Sequence, residues 1–377
     1  MAAEMTLADH FRAFAESSTR DGATTYGAIC RSVADDAEIL DLLASAPPTQ
    51  RRPNLLLAAV HYLLLGGADH PLAAYYDTVA AYTGRTAVAP EADGEAVGAA
   101  FKDFCAGHRE ALLGLIATGS TQTNEVGRCT GLLPALNVID AAESGAPLGL
   151  LDLGTSAGLN LLFDRYGYTY RQQSDGATIT AGDPSSAVQL ECRVRGDLSG
   201  LPALDRPDLA GRAGLDRTPI DPHDEAGARW LLACLWPDHL PRFVRLRAAL
   251  EIARADPDPP VLHTGDMIDR LGEVAGTVAP GRPLVVFHSW VAAYLSEARQ
   301  RELVEAVATL AATRPVHHLY AESPVDTPGL PTPPPPVPHR NADVATVLVH
   351  VPPGRPAVRL ADMHHHGRSL RWWTPIR

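Results

Sequence analysis

The stretch "LLDLGTSAGLN", Leu150 to Asn160, holds two kinds of chemistry in one string. Gly154-Thr155-Ser156-Ala157-Gly158 fits G-x-S-x-G, the sharp turn that exposes a nucleophilic serine in hydrolases. Read from Asp152, the same residues are an apolar strand ending in Asp-x-Gly-x-x-x-Gly, a glycine loop suited to a nucleotide-like ligand. In that reading Asp152 orients the loop or a cationic ligand group. Gly154 permits the tight turn, Gly158 permits close packing of helix on strand, and a helix starting near Ser156 and running through Asn160 aims its amides at the ligand.

Other residues carry titratable or polar chemistry. "TQTNEVGR" (121–128) brings Asn124, Glu125 and Arg128 to the start of a helix leading into the first strand, so these side chains can lean over the loop. "FHSW" ends a buried strand and offers His288 as a general base, since an imidazole titrates near neutrality. Ser289 and Tyr294 stand at the same mouth as hydrogen-bonding residues for a substrate. "HHHG" invites a metal, but in an extended segment His364 and His366 share a face and His365 points opposite. No third ligand with recognisable spacing accompanies them, so no metal is expected.

These residues need a frame. Up to about residue 145 apolar residues recur at helical spacing, giving a helical N-terminal region of about six helices, 1–145. From residue 146 short apolar runs alternate with helical stretches, the pattern of an α/β domain with a mainly parallel sheet and crossover helices. Strands are expected at 148–153, up to Asp216, up to Asp266, at 283–290 and at 316–323. A terminal antiparallel hairpin, "ATVLVHVP" with "AVRLADMH", closes the sheet edge. An irregular, hairpin-like insertion occupies about 167–205. The proline-rich stretch 328–338 joins neither helix nor sheet.

Composition narrows the classes. A net charge of -12 argues against a nucleic-acid partner. Five scattered cysteines without a C-x-x-C pair read as free thiols in a reducing compartment. The most apolar run, 55–67, is too short to span a bilayer and contains His61, so a buried helix is expected and no membrane partner. With no signal-peptide pattern at the N-terminus, a cytoplasmic location is expected, with a small-molecule substrate as partner.

The hydrolase reading is the weaker one. Its elbow normally follows several strands, one of which feeds the oxyanion loop, whereas here it follows the first strand. With 15 histidines and 44 acidic residues, a Ser-Asp-His order through Asp266 or Asp326 discriminates nothing.

"LLDLGTSAGLN", with the strand succession behind it, resembles the first motif of the Rossmann-like S-adenosylmethionine-dependent methyltransferases. The resemblance covers the chain from Pro147 onward and implies S-adenosylmethionine as cofactor and methyl transfer to an oxygen, nitrogen or sulfur of a small acceptor. It implies a cradle of Asp152, Gly154, Ser156, Gly158 and Asn160, with Arg128 on the cofactor carboxylate and Asp266 near the adenine. His288, Ser289 and Tyr294 then face the acceptor, together with Asn124 and Glu125.

Two features depart from that class. Ser156 stands where the usual loop has its middle glycine, and the acid for the ribose lies far beyond the ~20 residues of the simple fingerprint. Asp216 is preferred for that role, with Glu191 as competitor. More narrowly, "TQTNEVGR", "LGTSAGLNLLFDRYGY", "RWLLACLWPD" and "HHHGRSLRWW" resemble a bacterial family of domains of unknown function, across nearly the whole chain. A non-catalytic cofactor-binding module is the further alternative.

Overall fold

The computed structural model describes residues 5–87, 94–336 and 346–373. They form two compact units, 1–123 with 223–247 and 124–222 with 248–377.

The first unit is helical: α1 (Leu7–Arg20), α2 (Thr24–Val33), α3 (Ala37–Ala44), α4 (Pro53–Leu65), α5 (Asp77–Thr83), α6 (Glu95–Gly107) and α7 (Arg109–Thr118). Two of the breaks between these helices have identifiable causes. Asp36 accepts the amides of Glu38 and Ile39 and so starts α3 apart from α2. His108 turns its Nδ1 to the Phe104 carbonyl (3.0 Å) and separates α6 from α7. α4 begins on Pro53 and is buried along nearly all its length, as the apolar run 55–67 requires. No helix among the described residues is long and apolar enough to cross a membrane.

The units are drawn differently from the change of texture at residue 145. α8 (Cys129–Ala142) belongs with the sheet: Thr130 donates to the Gly367 carbonyl (2.8 Å), and Asn137 to that of Asp205 (2.9 Å). Conversely, α9 (Glu225–Ala233) belongs with the helices: the Trp230 indole donates to the Ser120 carbonyl (2.8 Å), and nearby Asp238 accepts the Thr25 amide (2.9 Å). α10 (Leu240–Ala255) carries the chain from the first unit into the second.

The second unit is built on one sheet. Its strands are β1 (Leu148–Leu153), β2 (Gly167–Gln172), β3 (Thr178–Gly182), β4 (Gln189–Val194), β5 (Leu209–Asp216), β6 (Val261–Thr264), β7 (Leu284–Ser289), β8 (Val316–Glu322), β9 (Thr346–Val351), β10 (Val358–Met363) and β11 (Ser369–Trp372). The order is β3-β2-β4-β11-β10-β9-β8-β7-β1-β5-β6. From β6 to β8 the neighbours are all parallel; β8-β9, β9-β10, β10-β11 and β2-β3 are antiparallel. The fold is therefore α/β, with a helical N-terminal region and a mostly parallel sheet.

The segment 167–205 does contain a hairpin, β2 with β3, but it is part of the main sheet, because β4 pairs in parallel with both β2 and β11. For the same reason the terminal strands do not close an edge, because β4 covers β11 and leaves β3 and β6 at the two ends. The proline-rich stretch has neither helix nor strand over 328–336; residues 337 and 338 lie outside the described residues. α11 (Leu271–Thr277) and α12 (Glu297–Leu310) pack Leu271, Val274, Leu303 and Val307 against Leu151, Leu153, Leu284 and Val286 of β1 and β7.

Candidate functional site

The chain lays β5 and β6 successively to one side of β1, then returns to place β7 on the other. Such a reversal leaves a crevice at the carboxyl ends of the two strands that diverge, the usual ligand position in open α/β sheets. Here those ends are Leu153 and Ser289, and the sequence "GTSAG" leaves the first of them.

Gly154 and Gly158 both have φ +71°. A Cβ on Gly154 would lie 2.8 Å from Val291 Cβ, and one on Gly158 would lie 2.9 Å from Leu262 Cδ2. Glycine is thus required twice over, by backbone conformation and by close approach. Ser156 also has positive φ (+54°), so it occupies a shape that the usual glycine would adopt without strain. Asp216, at the end of β5, holds the loop: Oδ2 accepts the Ser156 amide (2.9 Å) and Oδ1 the Thr218 amide (2.9 Å). The expected helix at Ser156 is absent. A 3-10 helix begins at Leu159 and runs to Arg165, because Gly158 leaves the right-handed region just before it.

Asp152 is buried beneath the loop and accepts the Thr155 hydroxyl (3.0 Å). Burial pushes its carboxyl up to about 7; the Thr155 hydrogen bond opposes this, Asp216 adds to it and Arg128 opposes it. Asp152 therefore titrates in the physiological range, which an exposed aspartate does not.

The segment "TQTNEVGR" comes to the same place. Asn124 accepts the Leu159 amide (3.2 Å), and Glu125 accepts that of Gly127 (3.0 Å). Arg128 donates from Nη1 to the Ser289 carbonyl (3.1 Å) and from Nε to the His365 carbonyl (2.9 Å). Cys129 Sγ lies 3.5 Å from Asn160 Oδ1. Direct pairing of β1 with β7 sets Asp152 opposite Phe287, so Asp152 and Ser289 share a sheet face. The Ser289 hydroxyl is buried with no hydrogen-bond partner among the described residues. Asp152, Asn124, Arg128, Asn160, Asp216 and Ser289 are thus brought together around one loop.

A family model for uncharacterized proteins conserved in bacteria, DUF2332, matches residues 8–372. The chain belongs to that family. The match spans most of both compact units, three of the strings singled out in the sequence, and the fourth up to Trp372. No curated protein and no solved structure matches the chain.

The other expected residues of this family member have surroundings of their own. His288 is not at an open mouth: its side chain is fully buried, stacks on Tyr320 and bonds Glu322 Oε1 through Nδ1 (2.7 Å) and His318 Nε2 through Nε2 (3.0 Å). Strand alternation is the reason, since it gives His288 the face of Val286, which looks into the core. Asp266 instead binds Arg217 and Arg299 and caps the turn at Ile268 and Asp269. Burial would raise its carboxyl, but the Arg217 hydrogen bond, the two amides and the Arg299 charge together hold it below the usual range. Glu191 lies on β4, with five strands between it and β1 in the sheet order. Tyr294 is exposed on a 3-10 turn, Ala292–Tyr294.

Three neighbours of the site were not singled out in the sequence. Thr155 holds Asp152, and Glu322 accepts the Val291 and Ala292 amides besides His288. Trp290 has φ +56°, and its indole donates to Thr346 (2.8 Å). Glu322 alone was detectable in the sequence, as a carboxylate at the carboxyl end of an apolar strand. A cavity of about 780 Å³ also borders the 3-10 helix that follows the loop, lined by Phe163, Asp164, Arg165, Tyr168 and Arg206 among others. Its buried Asp164 is held by Arg212 (2.8 Å), Arg206 (2.7 Å) and Arg165 (3.0 Å).

Proposed function

We propose that this chain is an S-adenosylmethionine-dependent methyltransferase acting on a small acceptor. The observation that carries the reading is the junction of the glycine loop with Asp216 at the crevice between β1 and β7. The residues present fit the cofactor in three respects. The loop has the positive φ that brings backbone close to a ligand, an acid ends the neighbouring strand, and a buried hydroxyl on Ser289 lacks a partner among the described residues. The loop from Gly154 to Gly158, Asp152, Asn160 and Asp216 would hold it, and when bound it supplies an electrophilic methyl group.

The chain's own part is alignment and exclusion of water, which accounts for much of the acceleration available to a transfer between two bound groups. Arg128 and Asn124 fix the loop and the end of β7 relative to each other. Asp152 is the group beside the loop whose proton is exchangeable near neutral pH. His288 is engaged by Glu322 and His318, so the proposal gives it a positioning role beneath the site.

Calorimetry with S-adenosylmethionine and S-adenosylhomocysteine tests the reading. Binding is expected, retained in Ser156→Gly and weakened at least tenfold in Asp216→Asn; no binding of either ligand at millimolar concentration overturns it. One observation favours a second reading, serine hydrolysis: the positive φ of Ser156 is shared by strained nucleophile turns. Labelling by a serine-directed phosphonate, lost in Ser156→Ala, would favour that reading instead.

A further inference from the structure

We infer that His364, His365 and His366 bind one divalent transition metal ion of the zinc, cobalt, nickel or copper class. In an extended segment the middle ring would point away. The structure makes this segment the turn between β10 and β11, closed by His364 N–H to the Ser369 carbonyl (2.8 Å) and Gly367 N–H to the His364 carbonyl (2.8 Å). The turn turns all three rings together, with centroids 4.1 Å (364–365), 3.9 Å (365–366) and 5.4 Å (364–366) apart. One nitrogen from each ring lies within 4.8 Å of the other two.

A tetrahedral ion with bonds of about 2.0–2.1 Å wants its nitrogens roughly 3.3 Å apart, so modest side-chain rotation completes the site. The backbone beneath is already fixed. Arg128 Nε donates to the His365 carbonyl (2.9 Å) and the Thr130 hydroxyl to that of Gly367 (2.8 Å). Little ordering is left for binding to impose.

Ligand chemistry selects the metal. Three imidazoles without a carboxylate suit zinc, copper, nickel and cobalt and disfavour magnesium or calcium. Three neutral ligands also leave the double charge uncompensated, so the fourth position favours hydroxide or a carboxylate. Arg368 identifies the competitor. Its Nε lies 2.8 Å from His364 Nε2, while His364 Nδ1 faces the His366 amide at 3.0 Å. A neutral imidazole accepts at one nitrogen only. The His366 amide can only donate, so Nδ1 is its acceptor; for Nε2 to bind a metal the ring gives up that bond and moves its proton to Nδ1, and the ion takes the place of the guanidinium. The turn adjoins the end of β7, since Arg128 also binds the Ser289 carbonyl and the Trp290 and His365 rings are 5.8 Å apart. The inference stands on the histidine turn alone and does not depend on the cofactor reading.

Titration of the tag-free chain with Zn²⁺ and Co²⁺, followed by calorimetry, is the test; a polyhistidine tag would bind the same ions. One ion per chain is expected, with no comparable binding of Mg²⁺. The double variant His365→Ala/His366→Ala should lower affinity about 100-fold through loss of two of three ligands, and Arg368→Ala should tighten it several-fold. Absence of stoichiometric Zn²⁺ and Co²⁺ binding, or unchanged affinity in the double variant, overturns the inference. Electron paramagnetic resonance of the Cu²⁺-loaded wild type keeps the test independent of how the variant folds. Three coordinated imidazoles support the site, and fewer overturn it.

Discussion

His61 in the helical unit and His288 in the sheet unit are both fully buried, yet their surroundings treat them differently. His61 turns Nδ1 to two backbone carbonyls, of Ala233 (3.1 Å) and Leu235 (3.1 Å), and Nε2 to the Thr78 hydroxyl (2.8 Å). Every partner is neutral, and burial drives its pKa down to about 4 against the favourable pull of the two carbonyls. His288 bonds only ionisable side chains, Glu322 and His318, and His318 is itself pushed well below its ordinary value by burial and by the neighbouring His288 and His350. The first histidine is a satisfied core residue. The second is joined to other ionisable side chains on β8, so burial alone does not separate the two kinds.

The largest test of this contrast is Glu322→Ala against Thr78→Val. Removing Glu322 strands the His288 ring and the amides of Val291 and Ala292 in the core, and should cost about 3–5 kcal/mol in urea unfolding. Removing the Thr78 hydroxyl deletes one neutral hydrogen bond and should cost about 1 kcal/mol. Equal losses would erase the distinction.

A second test uses pH. The folded pKa of His61, about 4, lies below its ordinary 6.5, so the unfolded chain takes up the proton first. The stability contributed by the neutral ring is complete above pH 6.5 and lost as pH falls toward 4. Asp152 runs the other way: its folded carboxyl keeps a proton up to about 7, against an ordinary 3.8. Its contribution is complete below 3.8 and lost as pH rises through 7. Between pH 4 and 6.5, His61→Leu should therefore flatten the rise of stability with pH in its unit. Asp152→Asn should steepen it in the other, each by about 1.4 kcal/mol per pH unit. Stability curves measured across that range read both slopes.

The smallest expected effect is Thr155→Val, which preserves shape but deletes the hydrogen bond to Asp152. A loss of about 1 kcal/mol is expected. The carboxyl should titrate higher still, as carbon-13 NMR of the aspartate would register.

What the sequence made legible was local. β1, its glycine loop and the succession of strands after it are patterns within a dozen residues, and so is the polar segment before α8. The displaced residues depended on partners distant in the chain. His288 is sealed by His318 and Glu322 from β8, and Asp266 is taken by Arg217 and Arg299 from two other segments. The histidine triplet was read as extended because the turn that gathers it is anchored by Arg128 and Thr130. Likewise, nothing within residues 167–205 reveals that β4 will meet β11.

That last pairing bears on how the protein is made. Arg195, just past β4, and Ser369, the first residue of β11, are 174 residues apart and joined by a hydrogen bond. At ribosomal speeds of about 5–20 residues per second, β4 leaves the ribosome on the order of ten seconds before β11 exists to cover its other edge. During that interval its edge is open to any other extended chain, and sheet closure is a late, long-range event. Synthesis rate and chaperone supply, more than core composition, should therefore set the yield of folded protein in a cell.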